Sequence, residues 1–560
     1  MRVTWLIVGL VFTVAVSAAG YQRGSNWKAF RYPGTRLMAN LAQPDALILT
    51  TSLAQLPSDL LKVPLARDVL TEDLVFYYEQ HENQLGLKGA IKRIAYEHEL
   101  DWTDRILTTV LDEPAELALW RDGKGALRHF AIVMRRNALA KVIQEAATVA
   151  LKDRQLTLAA EIESGDGKAQ VLALEINPRQ TLLLITQGDR LVVLSDPGLL
   201  FDSDSKVVPA ARAAVADWLN SEGALARHFA LDKARLAQTD GSTAQPRHTL
   251  AVSARALALG YGTFLPGFKG LRFEFGESWS THVWVDPKNL PTTGLGDAEL
   301  WRAAPANPSA CVLLPVDWQA ARQVVNQADK KPLLPNSPLF AGIDGAALAC
   351  WYKDSNLYSP LFISRHGKKL ADRTAALQAL THWALTGTGA TAPSVAEVGG
   401  VTASAQDKKS AQKNSAAPKT RSDTMIWRTE RADGQDAKVK QAAVAAHGAY
   451  VMFSPDTALV ELALDTLARK NPSVADQMPV SNATLALITP RPLAAMAEQE
   501  SFAALSSPGD ANLLAAAQTH LPARMKALAA YPPYRLELAA KGKPQSGWQR
   551  VQWLTPEENN

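Results

Sequence analysis

The chain has 560 residues, 47% of them hydrophobic and 20% charged, an ordinary globular balance that excludes a wholly disordered polymer. A formal net charge of +4 over that length is too weak to mark nucleic acid or an acidic polymer as a partner. Two cysteines exclude a disulfide-dense scaffold, and also a four-thiolate zinc site or an iron–sulfur cluster built on this chain alone.

Arg2 precedes an uncharged run over residues 3–19, most apolar between Leu6 and Val16. A short basic start, an apolar middle and then small residues are the layout of a bacterial export signal. Val16-Ser17-Ala18 offers small residues before a cleavage point but no clean Ala-x-Ala. Cleavage and retention as an inner-membrane anchor therefore both stay open, the run of about 17 residues being at the lower edge of what spans a bilayer. Arg2 on one side and Arg23, Lys28 and Arg31 on the other leave the positive-inside rule without a direction. The expected location is the periplasm, with inner-membrane attachment through residues 3–19 where the signal is retained. No second long apolar run follows, so a polytopic membrane protein is excluded.

Ala46-Leu47-Ile48-Leu49 reads as a short strand, and Ser58 as a cap for a short helix after it. Leu74-Val75-Phe76-Tyr77-Tyr78 is rich in β-formers and predicts a strand, and residues 88–98 have the apolar spacing of a helix. Three hairpins follow in close succession. Strands over 117–121 and 127–134 flank Asp122-Gly123-Lys124-Gly125; strands over 156–162 and 171–176 flank Gly165-Asp166-Gly167; strands over 182–186 and 190–194 flank Gly188-Asp189. Glycine at these turns allows the positive φ that a tight hairpin demands. Helices are predicted over 137–150 and over 209–219, the latter opening on Pro209, where a missing N–H costs nothing. Residues 249–286 supply long β segments. In Leu271-Arg272-Phe273-Glu274-Phe275 apolar residues alternate with charges, which predicts an apolar face in the core and a charged face in water.

The expected fold class is α+β: antiparallel β meanders with helices packed on the sheets. A buried strand running through a polar or Pro-containing corner into an Ala-rich helix recurs at 132–150, 312–328, 450–469 and 485–500, and repeated modules or chance reuse of a common corner both account for it. Residues 386–423 are Ala, Ser, Thr, Gly and Lys with almost no large apolar side chain, so they read as a disordered linker or a long insertion. Their basic residues, Lys408, Lys409, Lys413, Lys419 and Arg421, have no aromatic among them and read as a solvated tail. These breaks suggest a signal or anchor at 1–20, an N-terminal α+β domain at 40–245, a β-rich α+β domain at 246–385, and a C-terminal α+β region at 424–560.

Catalytic motifs are tested and fail. His81-Glu82 and His98-Glu99 open like the His-Glu-x-x-His zinc helix, but Leu85 and Trp102 stand where the second imidazole must face the metal. Glu79, His81, Glu97, His98 and Glu99 remain a candidate polar cluster, competing with a solvated helix face. Ser203-Asp204-Ser205-Lys206 has Ser-x-x-Lys spacing but no companion Lys-Thr-Gly or Lys-Ser-Gly exists, and there is no Gly-x-Ser-x-Gly elbow and no phosphate-cradling Gly-x-x-x-x-Gly-Lys loop. Neither a metal nor a cofactor is expected. Trp279, Trp284 and Trp301 form a candidate aromatic binding surface, with core packing of long strands as the competing account. Cys311 and Cys350 each sit in an apolar stretch that reads as a core strand. A disulfide between them suits an exported chain, and two buried thiols are the alternative.

Several segments resemble, in order, a family of uncharacterised exported proteins of proteobacteria, a domain of unknown function. They are Leu56-Pro57-Ser58-Asp59-Leu60-Leu61-Lys62-Val63-Pro64, Leu70-Thr71-Glu72-Asp73-Leu74, Tyr96-Glu97-His98-Glu99-Leu100, Trp120-Arg121-Asp122-Gly123, Phe275-Gly276-Glu277-Ser278-Trp279-Ser280 and Leu313-Leu314-Pro315-Val316-Asp317-Trp318. The resemblance runs from about residue 40 to the C-terminus. It implies no reaction, cofactor or catalytic residue. It does imply an envelope location and a protein partner, since such proteins are typically encoded beside a bacterial alpha-2-macroglobulin-like protein. The expected function is therefore a non-enzymatic periplasmic binding or accessory module, with an envelope hydrolase acting on peptide or glycan as the alternative.

Overall fold

The computed structural model describes residues 36–52, 114–122, 127–135, 156–231, 246–257, 265–290, 297–328, 340–366, 424–428, 441–504, 511–539 and 546–555, apart from isolated positions, together with a few residues between these stretches. The export signal, the strand at 74–78, the helices at 88–98 and 137–150, and the cluster Glu79, His81, Glu97, His98 and Glu99 lie outside the described residues. The chain divides into two compact units, Met1–Gly260 with Lys269–Trp284, and Tyr261–Phe268 with Val285–Asn560.

The first unit is built on β1 (Ala46–Thr50), β2 (Ala115–Arg121), β3 (Leu127–Arg135), β4 (Leu156–Ser164), β5 (Gly167–Asn177), β6 (Gln180–Gln187), β7 (Arg190–Leu194), β8 (His248–Ser253), β9 (Phe268–Phe275) and β10 (Ser280–Val285). Hydrogen-bonded neighbours run β4-β5-β6-β7-β3-β2-β1-β8-β9-β10. Helices α1 (Pro209–Asn220) and α2 (Ala224–His228) lie between β7 and β8, and α3 (Ala254–Leu257) follows β8. All three predicted hairpins are present. Gly165 and Gly188 both take φ +56°, a region where a side chain would strain the turn.

Alternation sorts the strand residues between two buried faces. Leu117, Leu119, Ile132, Met134, Leu182, Leu184, Leu191 and Val193 form one apolar cluster. Their neighbours Leu183, Ile185, Val192 and Leu194 are equally buried on the other side, as are Val215, Trp218 and Leu219 of α1. Burial on both faces explains why β6 and β7 read as continuous apolar runs rather than as alternating ones. Pro209 stands in the first turn of α1.

The second unit contains β11 (Ala310–Leu314), α4 (Trp318–Ala328), β12 (Ile343–Trp351), β13 (Leu361–His366), β14 (Ser394–Ala396), β15 (Thr424–Arg428), β16 (Ala443–His447) and β17 (Tyr450–Ser454). Then come α5 (Thr457–Leu467), α6 (Val474–Gln477), β18 (Thr484–Ile488), α7 (Pro490–Ala504), α8 (Ala511–Ala529), β19 (Tyr534–Leu538) and β20 (Gly547–Leu554). The neighbours run β14-β15-β16-β17-β13-β12-β11-β18-β19-β20, every pair antiparallel. Cys311, Leu313, Leu348, Cys350, Leu361, Ile363 and Met452 pack with Leu459, Val460 and Ala463 of α5. Ala321 of α4 packs with Leu377, Trp427, Val444 and Val451 in a separate cluster. Both units are thus α+β with antiparallel sheets.

Two expectations change. The proposed boundary near residue 245 is not where the chain divides, because β8 and β9 continue the first unit's sheet beside β1. Of the two readings of 386–423, linker or insertion, the strand pairing fits the insertion: β14 lies inside it, and residues 397–423 connect β14 to its neighbour β15 within the second unit. The charged face of β9, expected to be wet, is buried: Arg272 is 0% exposed and its guanidinium meets the Glu274 carboxylate, while on the apolar face Leu271 is 37% exposed and Phe275 is buried.

Candidate functional site

The described residues bring one Asp–His–hydroxyl constellation together, and the motifs tested above did not point to it. Thr50 ends β1 and His248 opens β8, and the antiparallel register sets them opposite each other. Asp59 comes from the segment that leaves β1, where its N–H closes a turn on the Gln55 carbonyl. Asp59 Oδ2 lies 3.0 Å from His248 Nε2, and His248 Nδ1 lies 2.8 Å from Thr50 Oγ1. Arg247 Nη1 donates to the same Asp59 oxygen at 2.8 Å, and Phe275 packs its ring against the imidazole with centroids 5.0 Å apart.

The order carboxylate, imidazole, hydroxyl is that of an activated nucleophile. The surroundings argue otherwise. His248 is 0%, Asp59 1% and Thr50 6% exposed, so no substrate carbonyl reaches Oγ1. That hydroxyl also donates its one hydrogen to the Ser52 carbonyl at 2.8 Å and accepts the Ser52 N–H at 3.1 Å. Chemically the arrangement is a sealed polar latch that pins the segment after β1 to β8. Buried polar groups of this kind are tolerated because each is hydrogen-bonded.

A second buried cluster uses β9. Arg272 Nε lies 3.1 Å from Glu274 Oε1, Ser280 donates to Glu274 Oε2 at 2.9 Å, and His282 Nδ1 stands 3.8 Å from that oxygen. In the second unit Arg535 Nε lies 3.0 Å from Glu537 Oε1, which also accepts from Thr484 at 2.7 Å. Among the described residues no group of three or more His, Cys, Asp or Glu side chains is placed to hold a metal ion.

The predicted site residues scatter. Trp279 and Trp284 are half-buried, Trp279 packing 5.9 Å from Phe273. Trp301 has no exposed surface and belongs to the second unit's core, so it offers nothing to a binding surface. Cys311 and Cys350 face each other across β11 and β12 and are bonded, with Cα atoms 4.1 Å apart. Ser203 and Lys206 lie in the loop that precedes α1, where Asp202 accepts the N–H groups of Asp204 and Lys206, so the serine does not stand on the first turn of that helix. Among the described residues no helix is long and apolar enough to cross a membrane.

Glu116 on β2 carries a pH-dependent term. It accepts the Gly223 N–H at 3.0 Å, and burial raises its pKa above the usual carboxylate value despite that bond. A carboxyl raised on folding stabilises fully below its unfolded pKa, and that contribution is lost as pH rises through the folded value. Thermal midpoints of the wild type should therefore fall across that window, and Glu116→Gln should flatten the fall. Parallel curves for the two proteins would remove Glu116 from the account.

The profile of a family described as "Uncharacterized protein conserved in bacteria (DUF2138)" matches residues 3–555. An uncharacterized protein of Escherichia coli strain K12, YfaA, is 31% identical over 537 residues, covering 92% of this chain and 90% of its own. Two solved structures, crystal forms III and IV of TP0453, align at 10% identity and TM-score 0.20 over 45% of this chain and 80% and 82% of theirs. At that score they carry no argument about fold or function.

Proposed function

The chain belongs to this bacterial family of uncharacterized proteins, and we propose that it is a non-enzymatic, periplasmic binding or accessory protein of the cell envelope. Its partner is a protein, such as a bacterial alpha-2-macroglobulin-like protein. The observation that carries the reading is the sealing of the Asp59–His248–Thr50 latch, which takes the described carboxylate–imidazole–hydroxyl set out of reach of any substrate. The export-like segment at 3–19 and the Cys311–Cys350 bond support an oxidising compartment. Purified full-length chain mixed with the macroglobulin-like protein should elute as a complex in gel filtration and crosslink to it. Separate elution with no crosslink sinks that pairing.

The hydrolase reading keeps one specific observation, the hydrogen-bonded order of the latch. Thr50→Val preserves shape and removes the hydroxyl. The latch account predicts a change in stability and none in binding; an envelope peptidase or glycosidase activity abolished by this substitution would reverse the choice.

A further inference from the structure

We infer that the chain is a tandem duplication, one α+β module, with ten strands among the described residues, built twice. Counting strands from the start of each unit, both sheets have the order 4-5-6-7-3-2-1-8-9-10. One helix pair falls in matching slots: a long helix and a short one follow the seventh strand in both, α1 and α2 in the first copy, α5 and α6 in the second, whereas after the eighth strand the four-residue α3 stands where the second copy has α7 and α8.

Register extends the match to single residues. β1 and β2 pair Ala46 with Leu119 through Thr50 with Ala115; β11 and β12 pair Ala310 with Trp351 through Leu314 with Ala347. Outside these ladders, Asp45 N–H bonds the Leu119 carbonyl and Ser253 N–H bonds that of Asp45. The second copy repeats both bonds, from Ser309 to Trp351 and from Thr489 to Ser309. The two-residue turns after β6 and β16 both open on glycine, Gly188 at φ +56° and Gly448 at φ +55°. Asp196 and Asp456, each at the same distance beyond its glycine, accept the N–H two residues on, from Gly198 and Ala458. The buried Arg272 and Glu274 pair matches Arg535 and Glu537. Each arginine faces a residue of the eighth strand, Ala251 or Leu487, that in turn faces the second residue of the first strand, Leu47 or Cys311. Short connections and chain handedness prune sheet topologies. They do not bring order, register and a buried Arg–Glu pair to the same places twice.

The differences then become informative. The disulfide of the second copy is Leu47 opposite Ala118 in the first. The latch pair Thr50 and His248 becomes Leu314 and Ala483, the latter placed by its carbonyl bond to Leu538 N–H. The tight Ser164–Gly167 turn becomes the connection from β14 to β15. The module folds without latch, disulfide or insertion, so these are features particular to one copy.

Two comparisons test the equivalence in the full-length chain. Leu47→Cys with Ala118→Cys places thiols at the counterpart of the natural bond and should oxidise, leaving no alkylatable thiol. Leu47→Cys with Leu117→Cys is offset by one residue onto the opposite face and should leave both thiols alkylated. Grafting the β19 residues into β9 (Leu271→Tyr, Phe273→Leu, Phe275→Leu) should preserve one cooperative melt. The exchange Arg272→Phe with Phe273→Arg, which moves the arginine to the other face, should abolish it. Free thiols in the in-register pair, or a graft as damaging as the exchange, would overturn the duplication.

Discussion

Arg272→Ala is expected to destabilise the first unit by about 3–5 kcal/mol, the cost of removing one partner from a buried ion pair. Arg272 has no exposed surface, and the Glu274 side chain is 18% exposed. Without the guanidinium, Glu274 keeps the Ser280 hydroxyl but carries an uncompensated charge beside β8. Arg272→Met with Glu274→Leu should recover much of the loss, because it removes the charge that the single substitution strands. Urea denaturation of the three proteins and the wild type closes a double-mutant cycle. A single substitution costing less than 1 kcal/mol would mean that the pair is hydrated. The same cycle at Arg535 and Glu537 should give the same sign in the second unit.

Loss of the Cys311–Cys350 bond is expected to cost roughly 3–4 kcal/mol, the chain-entropy value for a loop of about 40 residues. Simple truncation would add a packing defect, since both residues are fully buried. Cys311→Leu with Cys350→Ala instead installs the Leu47 and Ala118 pair of the first unit. Denaturation of the wild type with and without reductant, beside this variant, separates the two effects. Reduced wild type and variant should show equal losses, with the first unit unchanged. Alkylation of unreduced protein from cells gives the redox state directly. Two modified thiols would contradict both the bond and the oxidising compartment it implies.

The hairpins were legible because their signals are local. Gly165 and Gly188 punctuate strand-forming apolar runs, and turn chemistry does not depend on what packs above the strands. Pro209 announced α1 for the same reason. Arg272 was misread because alternation reports two faces without saying which is wet. A strand with neighbours on both sides can bury charges that pair with each other. The latch could not be read at all: His248 lies 189 residues from Asp59 and 198 from Thr50 and meets them only through the pairing of β1 with β8. The duplication was also hidden. The strand-to-helix corners that suggested repeats fall at non-equivalent strands β3, β11, β17 and β18, whereas the true counterparts share face and register but few identities. Unequal connections, such as the one from β14 to β15, break any fixed period. The low-complexity composition of 386–423 left linker and insertion both open, because composition cannot tell an insertion within a sheet from a link between domains.

The proposal that this is an envelope protein acting through a protein partner is tested most directly in intact cells. The full-length chain is crosslinked in place, recovered, and its attached proteins identified by mass spectrometry. The account predicts periplasmic or inner-membrane proteins, the alpha-2-macroglobulin-like protein among them. Recovery of cytoplasmic proteins alone would contradict it.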